Sequence, residues 1–431
     1  MDARIRASFL GPRSRRIFEG TDLDFEAFVE DYRKRHKRRP PQGMLGWYQF
    51  AREHGCRLDE YRHIYTALGS LRSSSSDTWQ RGDIRWADAE AIADYPFAFR
   101  VDVRNGVVNV PLRKDTLARG RMDAAHMSRM LRRFAHKLPD MSFFVNWGDL
   151  PVILRTPDAS GALEKVCLDP DAIRRHAHLH AYLASNASHV PVLGVPGRTP
   201  VLSPTTIDGC FADIMFPSSY FEEARQQTGA FLQESRPFKD RNDSLFWRGG
   251  STGMGGVVKE LFDSNQRLRF VGRFGDRSTL LGGRVRVDVG FAWIHVREED
   301  RDEAYKRFSR KPYVRPRESC LANKFFADLD GNTFSMRFLT LLRCGGLVLR
   351  ATLFSVWFSE WLKPWVNFIP LNFTYDDLES SLQWALEHPA EAQKIAEEGA
   401  NVGARLTFAE MECYMYRLLL EYESIIERPP P

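Results

Sequence analysis

The sequence predicts an α/β protein with two sheets. Three observations carry that prediction. From about Ile84 onward, short apolar runs alternate with longer amphipathic stretches, the pattern of strands joined by helical crossovers. The first 70 or so residues and the last sixty or so follow helical periodicity instead. The chain has 431 residues, 43% of them hydrophobic and 12% aromatic, enough for two or three packed domains at about 150 residues each.

Phe25, Phe28, Val29 and Tyr32 recur at i, i+3, i+4 and i+7, one face of a helix that Thr21 can cap with Asp24 in its first turn. Beyond Pro40-Pro41-Gln-Gly43, a second helix carries Trp47, Tyr48, Phe50 and Ala51 up to His54-Gly55. The polar run Ser73 to Ser76 reads as a loop and a boundary. A helical stretch from Met122 to Leu138 leads through the turn Pro139-Asp140 to a strand at Phe143-Phe-Val145. Val190-Pro-Val-Leu193, Phe270-Val271, Arg284-Val-Arg-Val-Asp-Val289 and Leu347-Val-Leu349 read as further strands. The helical run Ser335 to Arg343 precedes Gly345-Gly346, where a helix can end in a left-handed residue. Thr374-Tyr-Asp-Asp377 and Thr407-Phe-Ala-Glu410 fit capping boxes, and Pro389 suits the first turn of a helix running to Glu398-Gly399. The last helix places Met411, Tyr414, Met415 and Leu418 on one stripe, which reads as a packing face.

Composition excludes more than it assigns. Lys+Arg 61 against Asp+Glu 56 leaves a net charge of +5, too mild to name a partner. The dense run Arg33-Lys-Arg-His-Lys-Arg-Arg39 can serve as an anionic contact, but reads first as a solvated helix end before Pro40-Pro41. No stretch approaches the 18 or so consecutive apolar residues that span a bilayer, and Met-Asp-Ala-Arg-Ile-Arg begins no signal peptide. Cysteines 56, 167, 210, 320, 344 and 413 form no CxxC pair, which removes zinc-knuckle and thioredoxin readings. Sequons at Asn186, Asn242 and Asn372 tilt the compartment only slightly toward a secretory lumen.

Three segments can carry chemistry. In Ser244-Leu-Phe-Trp-Arg-Gly-Gly-Ser-Thr-Gly253 a strand enters a turn whose glycines let backbone amides approach an anion. Arg248 supplies a fork suited to phosphate oxygens, while Ser251 and Thr252 add short donors. The plainer reading is a tight turn whose arginine meets a carboxylate. In Asp328-Leu-Asp-Gly-Asn-Thr-Phe-Ser-Met-Arg-Phe338, Ser335 and Arg337 stand near a helix start, so the two segments together suggest a diphosphate ligand. Asp328 and Asp330 can clamp a divalent ion, but turning the chain before the helix is the stronger reading. In Leu138-Pro-Asp-Met-Ser-Phe-Phe-Val-Asn-Trp-Gly-Asp-Leu-Pro151, Asp149 follows a strand at its carboxyl end, where α/β sheets place ligands and a carboxylate can act as general base. His176, His178 and His180 lack a completing carboxylate or cysteine and stay out of the site. G-x-S-x-G and H-E-x-x-H are absent, against serine hydrolases and zinc proteases.

Taken in order, these segments resemble glycosyltransferase family 90, which includes fungal capsule-associated proteins and animal protein O-glucosyltransferases. The likeness continues through Asp213-Ile-Met-Phe-Pro217, Leu362-Lys-Pro-Trp-Val-Asn-Phe-Ile-Pro370, Ala392-Gln-Lys-Ile-Ala-Glu-Glu-Gly399 and Cys413-Tyr-Met-Tyr416, and covers roughly residues 80 to 425. Asp-Leu-Asp-Gly-Asn and the opening Tyr32 to Leu68 are similar to the fungal branch.

The resemblance implies a GT-B fold of two Rossmann-like domains facing a cleft. Its spans would be a helical lead at 1–75, an acceptor-side domain at 76–235, a nucleotide-sugar domain at 236–400 and a C-terminal helix and tail at 401–431. It further implies inverting, metal-independent transfer of xylose or glucose from a UDP-sugar to a hydroxyl of a glycan or protein, with no cofactor. Asp149 takes the general base position; Arg248, Ser335 and Arg337 match donor-binding positions, with Ser251 and Thr252 as weaker ones. Cys320 and Cys344 occupy the places of a family disulfide. Relatives are membrane-anchored in the Golgi or endoplasmic reticulum lumen. The absence of a targeting segment here leaves the cytoplasm open, and no nucleic-acid partner is expected. The alternatives are a metal-dependent transferase using Asp328 and Asp330, and a catalytically silent relative that binds a nucleotide, or an acidic partner through Arg33 to Arg39.

Overall fold

The computed structural model describes residues 22–58, 61–72, 79–155, 175–176, 198–229, 236–252 and 259–429. They divide into two compact units. One is drawn from Met1–Trp147, Arg198–Leu202 and Thr407–Pro431, the other from Gly148–Gly197 and Ser203–Leu406. The boundaries expected at 75 and 235 are therefore not where the chain divides, while the one expected at 400 lies close to the division before Thr407. The helical lead and the last helix belong with residues 76–147.

In the first unit, β1 (Ala98–Arg104) and β2 (Val107–Asn109) form an antiparallel hairpin, followed by β3 (Met141–Asn146) and β4 (Val201–Ser203). The strands lie side by side in the order β2, β1, β3, β4, with β1 antiparallel to β3 and β3 parallel to β4. The hairpin loop is Asn105-Gly106, both at positive φ (49° and 77°), as a two-residue turn between twisted strands requires. A Cβ on Gly106 would also lie 2.9 Å from His136 Cα. Here the expectation of parallel crossovers throughout gives way to a mixed sheet.

Helices Asp22–His36, Met44–His54, Arg62–Leu71 and Ala118–Leu131 complete this unit with the Phe408–Glu423 helix. That last helix does not bury one stripe; it is buried on every side from Glu410 to Glu423. Its charges are accordingly partnered: Tyr61 donates to Glu410, Arg133 to Glu412, Tyr32 and Arg417 to Glu421. The Arg417 guanidinium lies 4.4–5.8 Å from the ring centres of Phe28, Tyr32, Trp47 and Tyr65, where ring quadrupoles favour a cation. Cys56 and Cys413 are joined by a disulfide. Arg38, from the basic run, turns inward to Glu421 and Ser424, which counts against that run as a docking site for an acidic partner.

The second unit is built on a six-stranded sheet. Its strands are β6 (Asn242–Gly250), β7 (Thr279–Leu280), β8 (Val285–Trp293), β9 (Asn323–Leu329), β10 (Leu347–Ala351) and β11 (Ile369–Pro370); the short strand β5 (Ile214–Met215) lies outside this sheet. The spatial order is β11, β10, β9, β6, β8, β7, all parallel except the β7 edge. Odd-numbered side chains on β6, β8, β9 and β10 face helices Gln266–Phe274, Leu378–Glu387 and Pro389–Arg405 in one core. Even-numbered ones, including Phe246, Arg248, Asp288, Phe326 and Asp328, alternate to the other face.

Several local expectations change. Phe270-Val271 is not a strand but part of the Gln266–Phe274 helix, because Asn265 caps it through bonds from Arg267 N (2.9 Å) and Leu268 N (3.0 Å). Thr374 caps nothing: its hydroxyl donates to Asn372, and the Leu378–Glu387 helix starts without a side-chain cap. Thr407 does cap, accepting from Glu410 N, but the Glu410 carboxylate turns to Tyr61 instead of closing the box. Gly399 does not end its helix, which runs on to Arg405; it allows close approach, since a Cβ there would sit 2.6 Å from Asn367 O. Thr21, the Ser73 to Ser76 loop, the Val190 to Leu193 strand, Cys167, His178 and His180 lie outside the described residues.

Candidate functional site

β6 is flanked by β8 on one side and β9 on the other, so the chain leaves it in one direction and returns on the opposite one. Such a switch point opens a crevice beyond the carboxyl ends of the strands. A cavity of about 420 Å³ lies there, within the size range of small-molecule sites. Its lining includes Gly249, Gly250 and Thr252 from the end of β6, Trp293 from the end of β8, and Gly331 to Phe334 and Arg337 from the segment after β9.

Burial and charge make this cavity unusual. Arg337 heads the Arg337–Arg343 helix, and one of its nitrogens donates to Arg248 O while Nη2 is buried without a partner. Arg267 donates to Asp330 O (2.8 Å), Gly250 O (3.2 Å), Leu329 O (3.3 Å) and Thr252 Oγ1, all of them uncharged. Among the described residues neither guanidinium meets a carboxylate within ion-pair distance. Desolvation accordingly lowers both, Arg267 to about 9 with help from the neighbouring Arg337 charge. Further compensation comes from the Trp247 indole, 5.9 Å from Arg267 and 5.1 Å from Arg337, and from carboxylates beyond contact distance, Asp328 for both arginines and Asp330 for Arg267. Gly249 makes room for this, since a Cβ there would meet Arg337 Nη1 at 2.8 Å. Two buried cations with carbonyl partners and no carboxylate in ion-pair contact form a receptor for an anion.

Asp149 lines the same cavity, half-buried, three residues past β3 in sequence. Tyr220 Oη donates to its Oδ1 and Asn332 Nδ2 to its Oδ2, each at 2.9 Å. Its chain segment is pinned by Asp213, which accepts from Val152 N, Ile153 N and Ser203 Oγ. Burial pushes the Asp213 carboxyl up to about 6 against those bonds. One donor on each oxygen aims the Asp149 carboxylate and leaves lone pairs for an incoming hydroxyl.

The residues singled out from sequence divide three ways. Asp149, Thr252, Arg248 and Arg337 line the cavity. Arg248, however, is already engaged: Nη2 donates to Asp288 at 2.7 Å and Nε to Pro312 O, which is the plainer reading of that turn. Ser251 and Ser335 do not line it. Ser251 Oγ accepts from His295 N (2.7 Å) and donates to His295 O, and Ser335 Oγ is buried without a partner. Asp328 is held by Arg350, and Asp330 accepts from Thr352 Oγ1 and Leu353 N. Both are absent from the cavity lining, so the metal-clamp alternative loses its geometry. Arg267, Tyr220 and Asn332 were not legible as site residues. Arg267 sits before an apolar pair that reads as strand, and nothing local sets Tyr220 or Asn332 beside Asp149.

The fold and site together define an α/β unit with an anion receptor placed beside one oriented carboxylate. Residues 227–430, a little under half of the chain, match the family model described as Glycosyl transferase family 90. The chain is 27% identical over 323 residues to uncharacterized protein 027R of Frog virus 3 (isolate Goorha), covering 68% of this chain and 30% of that protein's length. It is 34% identical over 104 residues to protein O-glucosyltransferase 3 of Mus musculus (23% of this chain, 20% of that one). It is 32% identical over 107 residues to protein O-glucosyltransferase 1 of Homo sapiens (24% and 27%). The chain thus spans about a third or less of the length of these relatives. A crystal structure of Anabaena Alr3699/HepE in complex with UDP aligns over 58% of this chain and 68% of that one, at 12% identity and a TM-score of 0.29, too low to fix an arrangement. Among the described residues no helix is long and apolar enough to cross a membrane.

Proposed function

We propose that the chain is a GT-B type, inverting glycosyltransferase that moves glucose or xylose from a UDP-sugar to a hydroxyl of a glycan or protein. The observation that carries this reading is the sharing of one cavity by Asp149 and the guanidiniums of Arg267 and Arg337, neither in contact with a carboxylate among the described residues. The donor diphosphate supplies an anion in direct contact. Asp149 removes the proton from the acceptor hydroxyl as its oxygen attacks the anomeric carbon, and the electron pair of the broken bond leaves with UDP, whose growing charge the arginines stabilise. Arg248 shapes the floor from its ion pair with Asp288, and Thr252 offers a hydroxyl at the lining.

The reaction as proposed uses no metal ion, since the cationic side chains take its electrostatic part and Asp328 and Asp330 are engaged elsewhere. An oxidising lumen, in the Golgi or endoplasmic reticulum, is the proposed location, supported by the Cys56–Cys413 and Cys320–Cys344 disulfides. The test is UDP release from a panel of UDP-sugars, with and without EDTA. Release that survives chelation is expected; release abolished by EDTA and restored by manganese would sink the metal-free mechanism.

A further inference from the structure

The cavity has two unlike ends. Asp149 stands at the β9 side, bonded to Asn332. The guanidiniums of Arg337 and Arg267 occupy the middle, against Gly249 and Gly331. Strand order puts the end of β8 beyond β6 from there, and that end carries Trp293. Trp293 and Tyr313 line this side of the cavity while remaining 46% and 62% exposed, large aromatic surfaces that packing among the described residues does not account for. Trp293 is nonetheless held in place. Ser251 N donates to Trp293 O (3.3 Å), and the Ser251 hydroxyl is locked onto both backbone groups of His295. Only glycine fits at position 250, beneath the indole, since a Cβ on Gly250 would lie 2.0 Å from Trp293 Nε1.

A nucleoside diphosphate sugar is itself ordered as sugar, diphosphate, nucleoside. With the sugar's reacting carbon at Asp149 and the diphosphate at the arginines, the nucleoside extends toward β8. We propose that Trp293, with Tyr313 beside it, is the platform on which the donor's pyrimidine base stacks, and that Ser251 is a positioning residue that fixes this platform. The inference rests on the donor reading above. It also accounts for Ser251, which faces away from the cavity yet sets the edge that the base meets.

Base stacking on an aromatic ring contributes enough that its removal weakens binding roughly 5- to 150-fold. The test is calorimetric titration of the full chain with UDP and with inorganic pyrophosphate, for wild type, W293A, W293Q and W293F. W293A and W293Q are expected to lose UDP affinity by that factor and to keep pyrophosphate affinity, whereas W293F keeps most of both. W293Q retains bulk without a ring and carries the same expectation should W293A fail to fold. UDP affinity unmoved in W293A and W293Q overturns this inference alone, as does an equal loss for UDP and pyrophosphate. A wild-type chain that binds pyrophosphate but not UDP overturns the donor reading together with it.

Discussion

Replacing Arg337 by Met separates the folding role of a buried guanidinium from its binding role. Among the described residues Arg337 makes one hydrogen bond, to Arg248 O, and buries Nη2 without a partner. Losing a charge-assisted bond costs about 1.5–3 kcal/mol, and relieving a buried unsatisfied donor returns about 1–3 kcal/mol. The two nearly cancel, so the unliganded melting temperature of R337M is expected to change by the equivalent of about 1 kcal/mol or less. With donor bound, the charged contact has no such offset, and UDP affinity falls roughly 10- to 150-fold. At a UDP concentration 100 times the wild-type Kd, binding adds about 2.7 kcal/mol of stability to wild type. In R337M that gain drops to about 0.3–1.4 kcal/mol. At about 2–4 °C per kcal/mol for a unit of this size, thermal-shift measurements should show a rise of about 5–11 °C for wild type and about 1–6 °C for R337M. An R337M protein that melts far below wild type yet keeps the full UDP shift would refute the reasoning, because Arg337 would then be structural.

Asp149→Asn keeps the shape and loses the proton acceptor. Transfer should fall by about 10²–10⁴-fold in kcat with UDP binding intact, and near-normal turnover would remove Asp149 from the chemistry. Gly249→Ala drives a Cβ against Arg337 Nη1, so it should weaken UDP binding in the same direction as R337M; an unaffected titration would show that the close approach is not required. Stability should also fall as pH rises from about 4 through 7. Burial raises Asp213 to about 6 and Asp330 to about 7, so the folded chain holds protons in that interval that the unfolded chain has released. Asp288 acts oppositely and only in acid: burial would raise it, but Arg248 and Lys311 hold it low. A melting temperature that climbs steadily between pH 5 and 7.5 would contradict the assignment of those two carboxyls.

What could be read from residues alone was local. Pro389 at a helix start and the left-handed Gly345 follow from backbone sterics. The Gln266–Phe274 helix was obscured because Phe270-Val271 has strand composition, while the deciding feature, the Asn265 cap, lies five residues earlier. Of the candidate site, the glycines, Arg337 and Asp149 were legible, since glycines at a strand end admit an anion, and Arg337 and Asp149 stand at a helix start and past a strand's carboxyl end. Whether an arginine is spent on a carboxylate is a tertiary fact. Arg248 meets Asp288, forty residues on, and Arg267 meets only carbonyls and a hydroxyl, and sequence spacing distinguishes neither case. Asp149's two donors come from positions 71 and 183 residues away.

The position of the Phe408–Glu423 helix has a consequence for the chain's birth. That helix threads the middle of a unit whose other parts are made first, and its disulfide partner Cys56 is made some 357 residues earlier. At about 5–20 residues per second, a ribosome needs roughly 13–50 s to cover the interval between Trp147 and Thr407. Throughout it, Trp47, Phe134 and the inner rings around Arg417 have no central helix to close on, while the second unit can complete its sheet. The unit begun first therefore finishes last, and a stop codon shortly before Phe408 should yield a chain whose first half is sticky and protease-sensitive although no residue of the donor cavity is missing.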